Sequence, residues 1–297
     1  MHAITLHPPA AFSSAAIIDY LKRSSNECLF HVEGNTVKRL IPTPEGPQLI
    51  WITPERDALR IAFPALHDAP SEELQAAAHR YVWEWFDCGR DLTPFYGLAE
   101  QDGLLRDVAK QFYGLRIVGI EDLFEAMSWG IMGQQINLAF AYTLKRRFVE
   151  RYGSALDWDG RRYYSFPSPE TIAELEPADL TALQFTGRKA EYMIGTAAEI
   201  AEGRLSKAQL LALNDWTAIE KTLTRIRGIG PWTANYVLMR CLRMPGAFPI
   251  EDVGLHNALK HVLKREDKPT IAEIKQLSSG WGDWKAYATF YLWRTLY

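Results

Sequence analysis

The stretch Gly228-Ile229-Gly230-Pro231-Trp232-Thr233-Ala234-Asn235-Tyr236 decides how this chain folds. Two glycines separated by one residue let the backbone turn tightly and come close to another group. Ile229 between them is placed to bury and pin two helices. Pro231 stands where a helix can begin, because the first helical N–H has no intrahelical partner in any case. Upstream, Asn214-Asp215 can cap a helix running to about Arg227, and a second helix starts at Pro231. The segment from about 215 to 242 is therefore a helical hairpin. The free N–H groups and positive dipole end of its second helix point at an anion such as a phosphate. Gly-Ile-Gly alone more often marks an ordinary tight turn, so the surrounding residues have to decide.

Sixteen residues past Trp232 comes Phe248-Pro249-Ile250-Glu251-Asp252-Val253-Gly254-Leu255, with Asp252 at the cap of a helix that begins at Val253. Hairpin and aspartate together resemble the helix-hairpin-helix DNA glycosylase superfamily. More closely, they resemble its 3-methyladenine DNA glycosylase II (AlkA-type) branch, which the hairpin matches nearly residue for residue. The similarity continues through Phe124 to Gly153, Phe166 to Leu180 and Trp281 to Trp293. It covers most of residues 87–297 and, more loosely, the strand-rich N-terminus.

That resemblance implies hydrolysis of the N-glycosidic bond of alkylated purines (3-methyladenine, 7-methylguanine) flipped out of double-stranded DNA, leaving an abasic site. Asp252 is the expected catalytic carboxylate, which would stabilise an oxocarbenium-like sugar and orient the attacking water. Glu251 is the competing acid, read as a solvated neighbour. Trp232 and Tyr236, four apart on one helix face, would stack on the extruded base. On the last helix Trp284, Tyr287 and Tyr291 form one stripe and Trp293 lies nearly opposite; the resemblance makes Trp293 the pocket residue. In Met132-Gly133-Gln134-Gln135, Gln134 matches a glutamine near the pocket. Gln135 takes the position of a side chain that wedges into the duplex, where AlkA-type relatives often carry an apolar residue. Gly228, Ile229, Gly230 and Thr233 are the expected DNA-backbone contacts.

Bifunctional relatives place a nucleophilic lysine where Trp232 stands, and no lysine occurs between Gly228 and Ile250. A monofunctional enzyme is expected, with no cofactor and no catalytic metal. The resemblance allows a structural monovalent cation at the hairpin carbonyls. A non-catalytic DNA-binding module and a bifunctional glycosylase/lyase are the competing readings.

Composition sets the limits within which these motifs operate. At 297 residues, 47% of them apolar, the chain is long enough for two domains with ordered cores. Three widely spaced cysteines, Cys28, Cys88 and Cys241, exclude a four-cysteine iron–sulfur or zinc site and fit a reducing cytoplasm. His256 and His261, five apart, are misplaced for two ligands on one helix face. No apolar run approaches a membrane span, and Met1-His2-Ala3-Ile4 lacks a secretory pattern. A cytoplasmic, nucleoid-associated monomer is expected. The net charge of −3 is unlike a nucleic-acid binder, but residues 221–268 carry nine Lys/Arg against four Asp/Glu.

The N-terminal region reads as strands. Asn26 to Ile41 holds two apolar runs around Glu33-Gly34-Asn35, a hairpin signal. Leu49–Thr53 and Ala58–Phe63 are further strands, separated by prolines, and a helix follows from Ser71 to Phe86. Beyond residue 87 the pattern is helical: Glu121 to Tyr152 with breaks at Gly130 and Gly133, a start at Ser168-Pro169, and a last helix over Trp284 to Thr295. The expected fold is α+β. It comprises a small antiparallel-sheet domain over 1–86 and an all-helical helix-hairpin-helix glycosylase domain over 87–297.

Overall fold

The computed structural model describes residues 1–297. A five-stranded antiparallel sheet forms the N-terminal layer: β1 (His2–Leu6), β2 (Phe30–Glu33), β3 (Thr36–Ile41), β4 (Gln48–Pro54) and β5 (Leu59–Phe63), in the order β1-β5-β4-β3-β2. The expected hairpin is β2–β3, with Val32 opposite Val37 and Gly34 supplying the left-handed residue at φ +60°. The edge strand β1, which pairs His2 with Phe63 and Leu6 with Leu59, was not foreseen. Its five residues are too few for a periodic signal, and only pairing with β5 defines them.

Between β1 and β2 lies an unforeseen helix, α1 (Ser14–Leu21), capped by the Ser13 side chain. After the sheet comes α2 (Glu72–Trp85), capped by Ser71 as expected, and then α3 (Thr93–Gln101) and α4 (Leu105–Gln111). The long 121–152 segment is two helices, α5 (Leu123–Gly133) and α6 (Leu138–Tyr152). The expected break at Gly130 does not occur. Gly130 stays inside α5 because a Cβ there would lie 2.4 Å from Thr233 Cγ2, so its role is close packing. The expected break at Gly133 does occur: α5 ends there and the chain turns through Gln134 to Asn137, with Gln135 at φ +57°.

The helical region is not entirely helical. A hairpin, β6 (Ala155–Trp158) and β7 (Arg161–Tyr164), turns on Asp159-Gly160, both at positive φ. That dipeptide is a strong hairpin signal, legible in the sequence. Tyr163 packs with Leu40 and Leu49, tying the hairpin to the sheet. The chain continues through α7 (Pro169–Ala173), capped by Ser168, α8 (Pro177–Thr181), α9 (Gly187–Ala201) and α10 (Lys207–Ala212). The predicted hairpin follows as α11 (Trp216–Thr224), capped by Asp215, and α12 (Pro231–Arg240). The remaining helices are α13 (Val253–Val262), α14 (Ile271–Leu277) and α15 (Lys285–Trp293). No helix is long and apolar enough to cross a membrane.

Sheet and helices share one apolar core, running from Leu6 to Trp293. Where they meet, a buried ionic layer replaces it. Arg39 of β3 pairs with Glu125 of α5 at 3.4 Å, and Lys145 of α6 reaches Glu27 at 3.1 Å and Glu125 at 3.4 Å. Burial alone would raise the Glu27 carboxyl. Lys145 and the Leu29 N–H outweigh it and hold the group down at about 2.

Candidate active site

The hairpin loop folds as it does for two different reasons at its two glycines. Gly228 lies at φ +93°, and a Cβ there would sit 2.3 Å from Cγ of Tyr192 on α9. It is therefore fixed by packing. Gly230 at φ −89° has open space around its missing side chain. Ile229 is buried between the helices. The backbone N–H groups of Gly230, Trp232 and Thr233 donate to no protein acceptor, and α12 has no side-chain cap. They converge on a shallow surface concavity, which includes Arg225, Arg227 and Thr233.

Gln134 ties the α5–α6 turn to this loop. Its Nε2 donates to Gly228 O at 2.9 Å and to Thr233 Oγ1 at 3.2 Å. Gln134 also lines the main cavity, a pocket of about 730 Å³ between α5, α6, α12, α13 and the end of α15. Gln135 sits exposed on the cavity rim.

Asp252 stands in the cavity wall as the N-cap of α13. Its Oδ1 accepts from Leu255 N at 2.7 Å and from the indole Nε1 of Trp293 at 2.8 Å. Its Oδ2 accepts from the indole Nε1 of Trp232 at 3.0 Å. A carboxylate oxygen has two lone pairs. Oδ1 is therefore filled, and one acceptor position remains on Oδ2. Capping and exposure to the cavity coexist, because the cap sets where the carboxylate points. Glu251 is exposed on the rim and makes no hydrogen bond.

The two tryptophans that anchor Asp252 also wall the cavity. Tyr236 lies between them, with ring centroids 5.8 Å from Trp232 and 6.4 Å from Trp293 and both interplanar angles near 30°. The other stripe of α15 is core: Tyr287 donates to Asp87 Oδ2 at 2.6 Å and Tyr291 to Leu115 O at 2.7 Å.

Several positioning residues escaped the sequence reading. Asn235 Oδ1 accepts from Phe248 N at 3.0 Å, and His256 Nε2 lies 2.9 Å from Ile250 O. Between them they fix the loop that carries Asp252. A Cβ at Gly254 would lie 2.8 Å from Asp252 Oδ1 and 3.1 Å from Trp293 Nε1, so only glycine admits that contact. The cavity also receives Tyr20 of α1, Arg23 just beyond it, and Arg240 at the end of α12.

Fold and site together define a helix-hairpin-helix protein with a carboxylate in an aromatic cavity. The profile of the HhH-GPD superfamily of base excision DNA repair proteins matches residues 129–283. That of the 8-oxoguanine DNA glycosylase N-terminal domain matches residues 32–127. The chain belongs to the HhH-GPD superfamily. It is 47% identical over 295 residues, 99% of this chain and 97% of the relative, to a DNA-3-methyladenine glycosylase of Bacillus subtilis. It is 33% identical to DNA-3-methyladenine glycosylase 2 of Escherichia coli over 61% of each chain. Its fold matches a 3-methyladenine DNA glycosylase from Archaeoglobus fulgidus with a TM-score of 0.80, at 22% identity over 98% and 97% of the two chains.

Proposed function

We infer that this chain releases alkylated purines from double-stranded DNA by hydrolysing the N-glycosidic bond of a flipped nucleotide. One observation carries the inference: a carboxylate, Asp252, is held, with one acceptor position left open, by the edges of the same two indoles whose rings wall the cavity. A base drawn against those rings brings its sugar to the carboxylate. Asp252 then stabilises positive charge at the sugar and orients the water that attacks it. The free N–H groups at the start of α12 hold a backbone phosphate beside the lesion without reading sequence. The whole-length similarity to a DNA-3-methyladenine glycosylase supports alkylated purines as the substrate class.

The reaction is hydrolysis without strand cleavage. Trp232 occupies the place of a lyase lysine, and its N–H is already engaged by Asp252. Alkylation at a ring nitrogen makes the base cationic and a good leaving group, so no strong general acid is needed. Aromatic faces favour a cationic base. Three rings offer about 0.5–2 kcal/mol each. Arg23 and Arg240 line the same cavity and oppose this attraction by like-charge repulsion. Cationic lesions leave faster because their bonds are weaker.

Incubation with methylated duplex DNA tests this. Release of 3-methyladenine or 7-methylguanine, with abasic sites left uncut, is expected. Release of neither, or a borohydride-trapped protein–DNA adduct, would overturn the substrate class or the monofunctional mechanism respectively.

A further inference from the structure

We propose, on the glycosylase function inferred above, that Lys189 is a positioning residue: from α9, outside the cavity, its ammonium latches the end of α5 and presets the Gln134–Asn137 turn on the cavity rim for duplex DNA.

Stability does not account for this lysine. Lys189 is 8% exposed. Burial pushes its ammonium below the ordinary lysine value, and no acid opposes that shift. A buried charge without a counter-ion weakens a fold. Its one hydrogen bond shows what it does instead: Nζ donates to Met132 O at 2.8 Å, in the last turn of α5. Carbonyls there lack intrahelical partners and form the negative end of the helix dipole, where a cation is favoured. Ile131 O accepts from Gln134 N at 3.3 Å, but no backbone N–H donates to Met132 O. Lys189 alone satisfies it.

The rim turn starts two residues past that carbonyl. Gln135 within it holds φ +57°, a region that a residue with a side chain adopts only when its surroundings impose it. Three contacts impose it. Gln134 is bonded to Gly228 O and Thr233 Oγ1 of the hairpin. Asn137 caps α6 by accepting from Phe140 N at 2.9 Å. Lys189 fixes the α5 side. One turn further along α9, Tyr192 packs beneath Gly228, so one face of α9 supports both the rim turn and the hairpin loop.

A base must cross this rim to reach the cavity. A turn ordered before DNA arrives loses little freedom when a duplex is opened against it. Without the latch, the turn has to be ordered while the base leaves its stack, and occupancy of the extruded state falls. An abasic duplex presents the same gap to the rim with no base to release. Undamaged duplex is held by the phosphate grip of the hairpin and does not need the turn.

Three measurements on the parent, Lys189→Met and Lys189→Arg test the latch. Methionine keeps the apolar reach of the side chain without its charge, so Lys189→Met should melt at or above the parent temperature. Hydrogen exchange of the 133–137 amides, without DNA, should nevertheless be about tenfold faster in Lys189→Met, equivalent to 1.4 kcal/mol. Affinity for a duplex with an abasic site should fall about tenfold, while the same duplex undamaged binds as before. Single-turnover release of 7-methylguanine from duplex should fall by about the same factor. Lys189→Arg, which keeps a charged donor, should restore all three. Unchanged exchange in Lys189→Met would overturn the latch. Faster exchange with affinity lost equally for both duplexes, or for neither, would overturn its role at the rim. Base release absent from the parent, with the exchange and binding results as expected, would overturn the enzymatic inference and leave the latch standing.

Discussion

Trp293 donates its indole N–H to Oδ1 of Asp252 at 2.8 Å, so the end of the last helix and the cap of α13 form one hydrogen-bonded unit. A cavity wall and a reactive group are thereby the same piece of structure, and variants of the wall perturb chemistry as well as binding.

The first prediction follows from that unit. Trp293→Phe keeps an aromatic face and removes the donor to Asp252. Base release should fall about tenfold for cationic and neutral lesions alike, because the lost contact orients the carboxylate and not the base. Trp293→Leu should fall further by losing the face as well. Single-turnover rates on 7-methylguanine and hypoxanthine substrates measure both variants. A loss confined to cationic bases in Trp293→Phe would contradict the assigned role.

Asp252→Asn should abolish base release while keeping affinity for lesion DNA within about tenfold, 1.4 kcal/mol. An asparagine amide would turn a donor toward Trp232 or Trp293, leaving one indole N–H unpaired. A modest loss of stability, about 1–3 kcal/mol, should accompany the loss of rate. Rate, binding and melting are measured on the same preparation. Glu251→Gln, on the exposed rim, should leave all three near the parent values, and an equal loss of rate there would mean Glu251 is the reacting acid.

The hairpin and the cap at Asp252 were legible from their glycine, proline and capping residues, and the family resemblance singled out Asp252 as the reacting acid. Trp232, Tyr236 and Trp293 were legible as candidate wall residues from helical spacing and resemblance. Arg23 and Arg240 were not, since they come from segments more than 200 residues apart that meet only in the folded chain. Helix α1, which brings Tyr20 to the cavity, is eight residues long and too short for a convincing period. The same limit applies to Gly130 and Gly254, whose neighbours Thr233 and Trp293 are distant in sequence. A glycine in a helical pattern reads as a break until the side chain that fills its space is known.

The two loop glycines should separate stability from DNA binding. Gly228→Val forces a side chain into the Tyr192 ring and strains φ +93°, so it should lower the melting temperature and reduce folded yield. Gly230→Arg meets open space and should melt near the parent while weakening damaged and undamaged DNA alike, because it covers the free N–H groups at the start of α12. Thermal melting and binding titrations on both duplexes check this. Selective loss of damaged-DNA affinity in Gly230→Arg would place the loop in base recognition.

The ionic layer between sheet and helices should be visible as a pH dependence of stability. Glu27 has a folded value of about 2, below the ordinary carboxylate value of 4.5, because Lys145 and backbone N–H groups hold it ionised against its burial. A depressed carboxylate contributes stability above its unfolded value and loses that contribution as pH falls toward the folded one. The window is therefore roughly pH 4.5 down to 2, and a shift of this size corresponds to on the order of 3 kcal/mol. The Glu27→Gln variant should be less stable at neutral pH, since Lys145 loses a buried partner, and its stability should vary less through that window. Urea midpoints at pH 6, 4.5, 3.5 and 2.5 for both proteins measure the difference. Parallel curves would mean that other carboxylates dominate the acid transition and that Glu27 is held by its neighbours without stabilising the folded chain.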